Sequence, residues 1–201
     1  STASLHHEGP LAAERSQWGG AAGAGGTDDG ASRSPVEVSL VIHERGTRDE
    51  GNPSFNTLGF YALWPARGPR GQDPAPRRRP GTRFTLTVRC PTSCRREVED
   101  AVRAWILFGG YGGRTRRGCG SLTLAADATV EHKRPWLPAA PTLEAIAALF
   151  AIDLFGVVKG AATETPSLVG ARLVTGTTPT WSAEAAWDEA LHWLKDFRQE
   201  E

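Results

Sequence analysis

Apolar and polar positions alternate most regularly in two stretches of the chain. Over 36–42, Val36, Val38, Leu40 and Ile42 share one face, the pattern of a half-buried strand. Over 82–89, Phe84, Leu86 and Val88 point one way and Arg83, Thr85, Thr87 and Arg89 the other, which predicts a second strand. Residues 59–64 and 121–125 read as shorter strands, and 168–174 as a further one. Helical spacing takes over at Val98, Ala101, Val102, Trp105 and Ile106, after Ser93 as N-cap and before Gly109 and Gly110 as a stop. An apolar helix is predicted over 143–155. The strongest amphipathic helix spans 182–198, with Ala183, Ala186, Trp187, Ala190, Leu191, Leu194 and Phe197 on its apolar stripe, read as core packing. Residues 4–18 read as partly helical, broken at Gly9 and Pro10, and 19–30 as a glycine-rich loop.

Composition changes this picture in one respect. The formal net charge is zero, but the charge is unevenly spread. From Ala66 to Gly120 there are thirteen arginines, no lysine and four acids, a net +9 that the remainder offsets. A basic middle of that kind is the electrostatic footprint of an anion-binding face. A general bias toward arginine accounts for the choice of Arg over Lys, though not for the clustering. Within this stretch, 65–80 holds five prolines and five arginines, including Arg77, Arg78 and Arg79. Such proline density predicts an irregular basic loop. No apolar run reaches the roughly 20 residues that span a bilayer, and no signal peptide is visible at the start. A cytoplasmic protein is expected.

The chemistry concentrates between Trp105 and Leu122. Six glycines there interleave with Arg114, Arg116 and Arg117. The glycines let backbone approach a partner closely, and guanidinium forks suit phosphate. Gly113 to Gly118 has P-loop spacing, but Cys119 and Gly120 stand where Lys and Ser/Thr are needed, and the loop follows a helix and opens a strand rather than the reverse. Nucleotide hydrolysis is thereby disfavoured. Cys90, Cys94 and Cys119 are an odd set with no zinc-like spacing, so reduced thiols and no metal or cofactor are expected. His6, His7, His43, His132 and His192 carry no pattern that marks a catalytic base.

The order strand, strand, helix, glycine loop, strand matches the later part of a ferredoxin-like domain. At this loop the chain resembles the RAMP superfamily (repeat-associated mysterious proteins) of CRISPR systems. The double glycine, the Arg-x-Arg-Arg and the Gly-x-Gly-Ser ending most resemble the first-subunit family of the type III-B Cmr effector complex. The resemblance implies an α+β, ferredoxin-like (RRM-like) antiparallel sheet with helices on one face over 1–127. Residues 128–201 would then form a mainly helical C-terminal region. Nothing before Val36 reads as the family's first strand, and the chain contains no methionine. An N-terminally truncated member is therefore expected.

By the same resemblance the protein is a non-catalytic subunit that holds CRISPR guide RNA and target RNA near the guide 3′ end, beside other RAMP subunits of the Cmr complex, in antiviral defence. The residues assigned to RNA are Gly110, Tyr111, Gly112, Gly113, Arg114, Thr115, Arg116, Arg117, Gly118 and Gly120, with Arg77, Arg78 and Arg79 adding phosphate contacts. Tyr111 would stack on a base or plug the loop. Two other readings stand beside this one. One is a metal-independent endoribonuclease that processes CRISPR RNA, which needs a general base near RNA-binding cations. The other is a purely structural assembly subunit.

Overall fold

The computed structural model describes residues 14, 17–19, 33–69, 72–126, 128, 135–156, 168–173 and 182–199. The predicted helix over 4–18 and the loop over 19–30 lie almost wholly outside these residues. Small antiparallel sheets and helices make an α+β protein. The chain divides into two compact units, each discontinuous in sequence: Ser1–Arg45 with Gly81–Glu99, and Gly46–Pro80 with Asp100–Glu201.

The first unit is built on strands β1 (Glu37–Glu44) and β4 (Arg83–Arg89), which pair antiparallel. Val38 faces Val88, Leu40 faces Leu86 and Ile42 faces Phe84, so the two alternating patterns combine into one apolar face. Both strands were predicted. The half-burial of the first was not realised: Val38 is 59% exposed and Leu40 52%. The register shifts between Ile42 and Glu44, and there His43 Nε2 lies 2.8 Å from the Thr85 hydroxyl.

In the second unit, β2 (Arg48–Asp49) pairs antiparallel with β3 (Arg77–Arg78). Regular structure thus reaches into the segment predicted to be irregular, because an acid captures its arginines. Arg77 pairs with Asp49 at 2.9 Å, and both side chains are largely buried. Arg77 also donates to the Gly51 carbonyl, and Arg78 Nη1 donates to the Gly46 carbonyl at 2.8 Å. Burial works to raise the Asp49 carboxyl, but the Gly51 N–H and the Arg77 guanidinium outweigh it and hold the group below its ordinary value. A depressed carboxyl stabilises the fold above the unfolded value and loses that contribution as pH falls through the folded one. An NMR titration of Asp49 is therefore expected to give a midpoint below about 3.9, with the β2–β3 pairing weakening in that range. A midpoint at or above that value would contradict the pairing.

Helix α2 (Arg95–Phe108) follows β4 through a short 3₁₀ turn, Thr92–Cys94, which contains the predicted cap Ser93. Val98 on the predicted stripe is 3% exposed. Arg103, outside that stripe, is fully buried. Its Nη1 pairs with Asp100 at 3.0 Å, its Nε donates to the Pro135 carbonyl at 3.1 Å, and its guanidinium lies over the Trp136 ring. Asp100 in turn accepts from the Ala151 N–H at 3.1 Å. Breaking a buried pair leaves one charge uncompensated, so Arg103→Met is expected to cost about 3 kcal/mol in urea unfolding. A loss under about 0.5 kcal/mol would show the pair to be dispensable.

Downstream, α3 is limited to Leu143–Ala147, capped by the Thr142 hydroxyl, which accepts from the Ala145 N–H. The predicted helix over 143–155 is thus shorter. The 121–125 and 168–173 segments contain no strand. The final helix, α4 (Ala183–Gln199), matches its prediction at both ends to within a residue, and Leu191 is 3% exposed. Phe197, assigned to the apolar stripe, is instead 51% exposed and stacks on Trp193.

Candidate nucleic-acid interface

Residues 59–64 form a helix rather than a strand: α1 (Phe60–Leu63), which runs into a 3₁₀ turn, Trp64–Ala66. The aromatic composition favours a strand, but long-range contacts decide otherwise. Gly59, in the left-handed region at φ 71°, begins the helix, and its N–H donates to Asp188 Oδ1 of α4 at 2.6 Å. That bond anchors the helix start from a residue 129 positions away.

The glycine loop follows α2 and is shaped by its own backbone and by α4. The Tyr111 N–H donates to the Gly120 carbonyl at 3.1 Å, closing the loop at its neck. Trp105 Nε1 donates to the Gly110 carbonyl at 2.9 Å, fixing the loop to the helix it leaves. Inside, Thr115–Arg117 makes a 3₁₀ turn flanked by Arg114 and Gly118, both left-handed. The Arg114 carbonyl accepts from the N–H groups of Arg117 and Cys119.

Trp187 of α4 locks this turn. Its Nε1 donates to the Arg117 carbonyl at 2.7 Å. A Cβ on Gly118 would lie 2.8 Å from Trp187 Cδ1, and one on Gly59 would lie 2.0 Å from Cη2. Two left-handed glycines therefore make the slot for one indole.

The three loop arginines separate into two roles. Arg117 is half-buried and turned inward: its Nη1 donates to the Tyr61 carbonyl at 2.9 Å, with the guanidinium 4.6 Å from the Tyr61 ring centroid. Arg114 and Arg116 are exposed. Arg114 is the one non-glycine residue with positive φ among the described residues. That conformation costs an L-residue about 1–2 kcal/mol, yet the position carries an arginine in a loop otherwise rich in glycine. At the tip, a Cβ on Gly112 or Gly113 would meet nothing within 4 Å, so a ligand's backbone has open access there. Tyr111 is 47% exposed, and Thr115 is half-buried.

The second predicted cluster is spent differently. Arg77 and Arg78 hold the β2–β3 ribbon, whereas Arg79 is 68% exposed with only a 3.7 Å approach to Asp49. Burial raises the Cys119 thiol against the opposing pull of Arg114 and Arg117, which keeps it protonated at neutral pH. His192 sits on α4 beside Asp188, at 2.9 Å from its carbonyl. His6, His7 and His132 lie outside the described residues. Among the described residues, no group of three or more His, Cys, Asp or Glu is placed to hold a metal ion. No helix among them is long and apolar enough to cross a membrane.

Composition marks the loop but not its supports. Gly59 and Tyr61 fall in a segment predicted as a strand, Trp187 on the core stripe of the final helix, and Asp188 off that stripe. Their roles at the loop depend on contacts 56 to 129 residues apart in sequence.

No curated protein and no solved structure matches the chain. The family model of the RAMP superfamily matches residues 10–123, more than half of the chain, from before β1 through the end of the glycine loop. The chain therefore belongs to the RAMP superfamily, whose general role is CRISPR-associated RNA binding.

Proposed function

We propose that this chain is a non-catalytic RNA-binding subunit of a type III-B Cmr effector complex, in which the glycine loop contacts the phosphates of guide or target RNA beside neighbouring RAMP subunits. The observation that carries this reading is the pairing of exposed Arg114 and Arg116 with an open glycine tip, on a turn held rigid by Trp187 and Arg117. Rigid mounting matters because fixed donors lose little freedom on binding. The mechanism is electrostatic. Guanidinium forks and loop amides replace counterions on the phosphates, so affinity falls as salt rises. Base sequence is read by pairing between the RNA strands, and the protein supplies position. The chain order of β4, α2 and the glycine loop supports a RAMP-type reading. Antiviral defence follows from membership of such a complex.

The test is a fluorescence-anisotropy titration of the full chain with labelled CRISPR repeat RNA across about 50–200 mM salt. Binding that weakens linearly on logarithmic axes, with the RNA recovered intact in EDTA, is expected. Site-specific cleavage in EDTA would establish a processing endoribonuclease instead. Absence of RNA binding, with complex assembly lost on mutating the loop, would establish an assembly subunit.

A further inference from the structure

Around α1 the same unit carries a group of aromatic side chains that make none of the loop's supporting contacts. Phe55 is 82% exposed, Leu58 53% and Trp64 45%. The Phe55 ring centroid lies 4.8 Å from that of Phe60 and 6.2 Å from Trp64, and Phe60 meets Trp64 edge-on at 5.1 Å. The Arg67 guanidinium lies over the Trp64 ring, 3.5 Å from its centroid. No carboxylate among the described residues pairs with Arg67, and 53–69 contains no acid at all.

An exposed apolar ring is stabilised when a partner covers it. Here the rings contact one another and sit beside a guanidinium that no carboxylate among the described residues engages, so the fitting partner combines flat π-faces with negative charge. Single-stranded RNA has both. Its unstacked bases lie on aromatic and guanidinium planes, whereas bases in a duplex keep their faces for one another. The group is also continuous with the candidate interface. Phe60 precedes Tyr61, and it is the Tyr61 carbonyl and ring that receive Arg117 of the glycine loop.

The geometry points to Phe55, Trp64 and Arg67 as a stacking site for an unpaired base of the RNA whose phosphates the loop holds. Phe55 offers the open face, and Arg67 meets the neighbouring phosphate. This inference rests on the RNA-binding reading of the loop. It goes beyond that reading in assigning base contacts to a segment outside the loop and in requiring the RNA to be single-stranded there.

The experiment measures binding of the full chain to a labelled single-stranded RNA carrying 2-aminopurine, whose fluorescence is quenched on stacking. Phe55→Ala is expected to weaken binding about tenfold, within the range for one stacked base. It should also abolish the quench while leaving the salt slope unchanged, because no charge is removed. Phe55→Trp should restore both affinity and quench, which a purely structural role for the residue would not allow. Unchanged affinity and quench in Phe55→Ala would overturn the inference. So would a variant that binds RNA normally but no longer co-purifies with other RAMP subunits, since the rings would then dock protein. The Arg114→Ala/Arg116→Ala pair separates the two ideas. If the pair weakens RNA binding and Phe55→Ala does not, the base-stacking site alone fails; if the pair has no effect, the loop reading fails.

Discussion

Replacing Arg114 and Arg116 together with alanine weakens RNA binding by tenfold or more at low salt and flattens its salt dependence. Both side chains are exposed on a turn whose neighbouring arginine is engaged internally, which makes them the loop's phosphate contacts in the proposed function. Each phosphate neutralised on a single strand contributes about −0.7 to the slope of log K against log salt, so loss of two contacts should reduce that slope by about 1.4. Thermal stability should be nearly unchanged, because surface substitutions away from buried networks shift it by only about 0.5 kcal/mol. Arg117→Ala is the informative contrast. It removes a charged hydrogen bond to the Tyr61 carbonyl and a cation–π contact. A stability loss of about 1.5–3 kcal/mol is expected from the hydrogen bond alone. If Arg117→Ala behaved like the double variant, losing RNA affinity at full stability, the division of roles among the three arginines would be wrong.

Trp187→Ala is expected to cost about 3 kcal/mol of stability, the lower end of the range for tryptophan truncation because the ring is only partly buried. The indole contributes in three ways. It fills the slot between Gly59 and Gly118, it donates to the Arg117 carbonyl, and it sits next to Asp188, which anchors the start of α1. Removing it leaves a cavity and an unpaired carbonyl in one step. The reciprocal change, Gly118→Val, places a branched side chain in a left-handed position against the indole and should be comparably damaging. Both variants should also lose RNA affinity, since the turn that presents Arg114 and Arg116 is no longer held. Urea unfolding and limited proteolysis of the loop would check this. A Trp187→Ala chain with unchanged unfolding midpoint and an intact loop would mean that α4 does not support the interface.

Local pattern was enough for several elements. The strands β1 and β4 follow from period-two alternation, and α2 and α4 from spacing near 3.6, because each pattern is contained within its own segment. The glycine loop was legible for the same reason: its composition alone shows a backbone able to approach a polyanion closely. What lay outside local reach is the fate of particular residues. The segment from Phe60 to Trp64 has strand-like composition, and Arg77 to Arg79 sit among prolines; each was redirected by a distant acid, Asp188 in one case and Asp49 in the other. The stripe on α2 did not announce Arg103, because its partners come partly from Pro135 and Trp136.

Residue order alone shows an arginine-rich glycine loop after a helix, and with it membership of the RAMP superfamily. Which arginines stay exposed follows only from the folded contacts. A guanidinium's availability depends on whether an acceptor or a ring lies within reach, and for Arg117 and Arg77 those groups come from residues 56 and 28 positions away. Charge can be counted along a chain, but the partners that neutralise or engage it are set by folding.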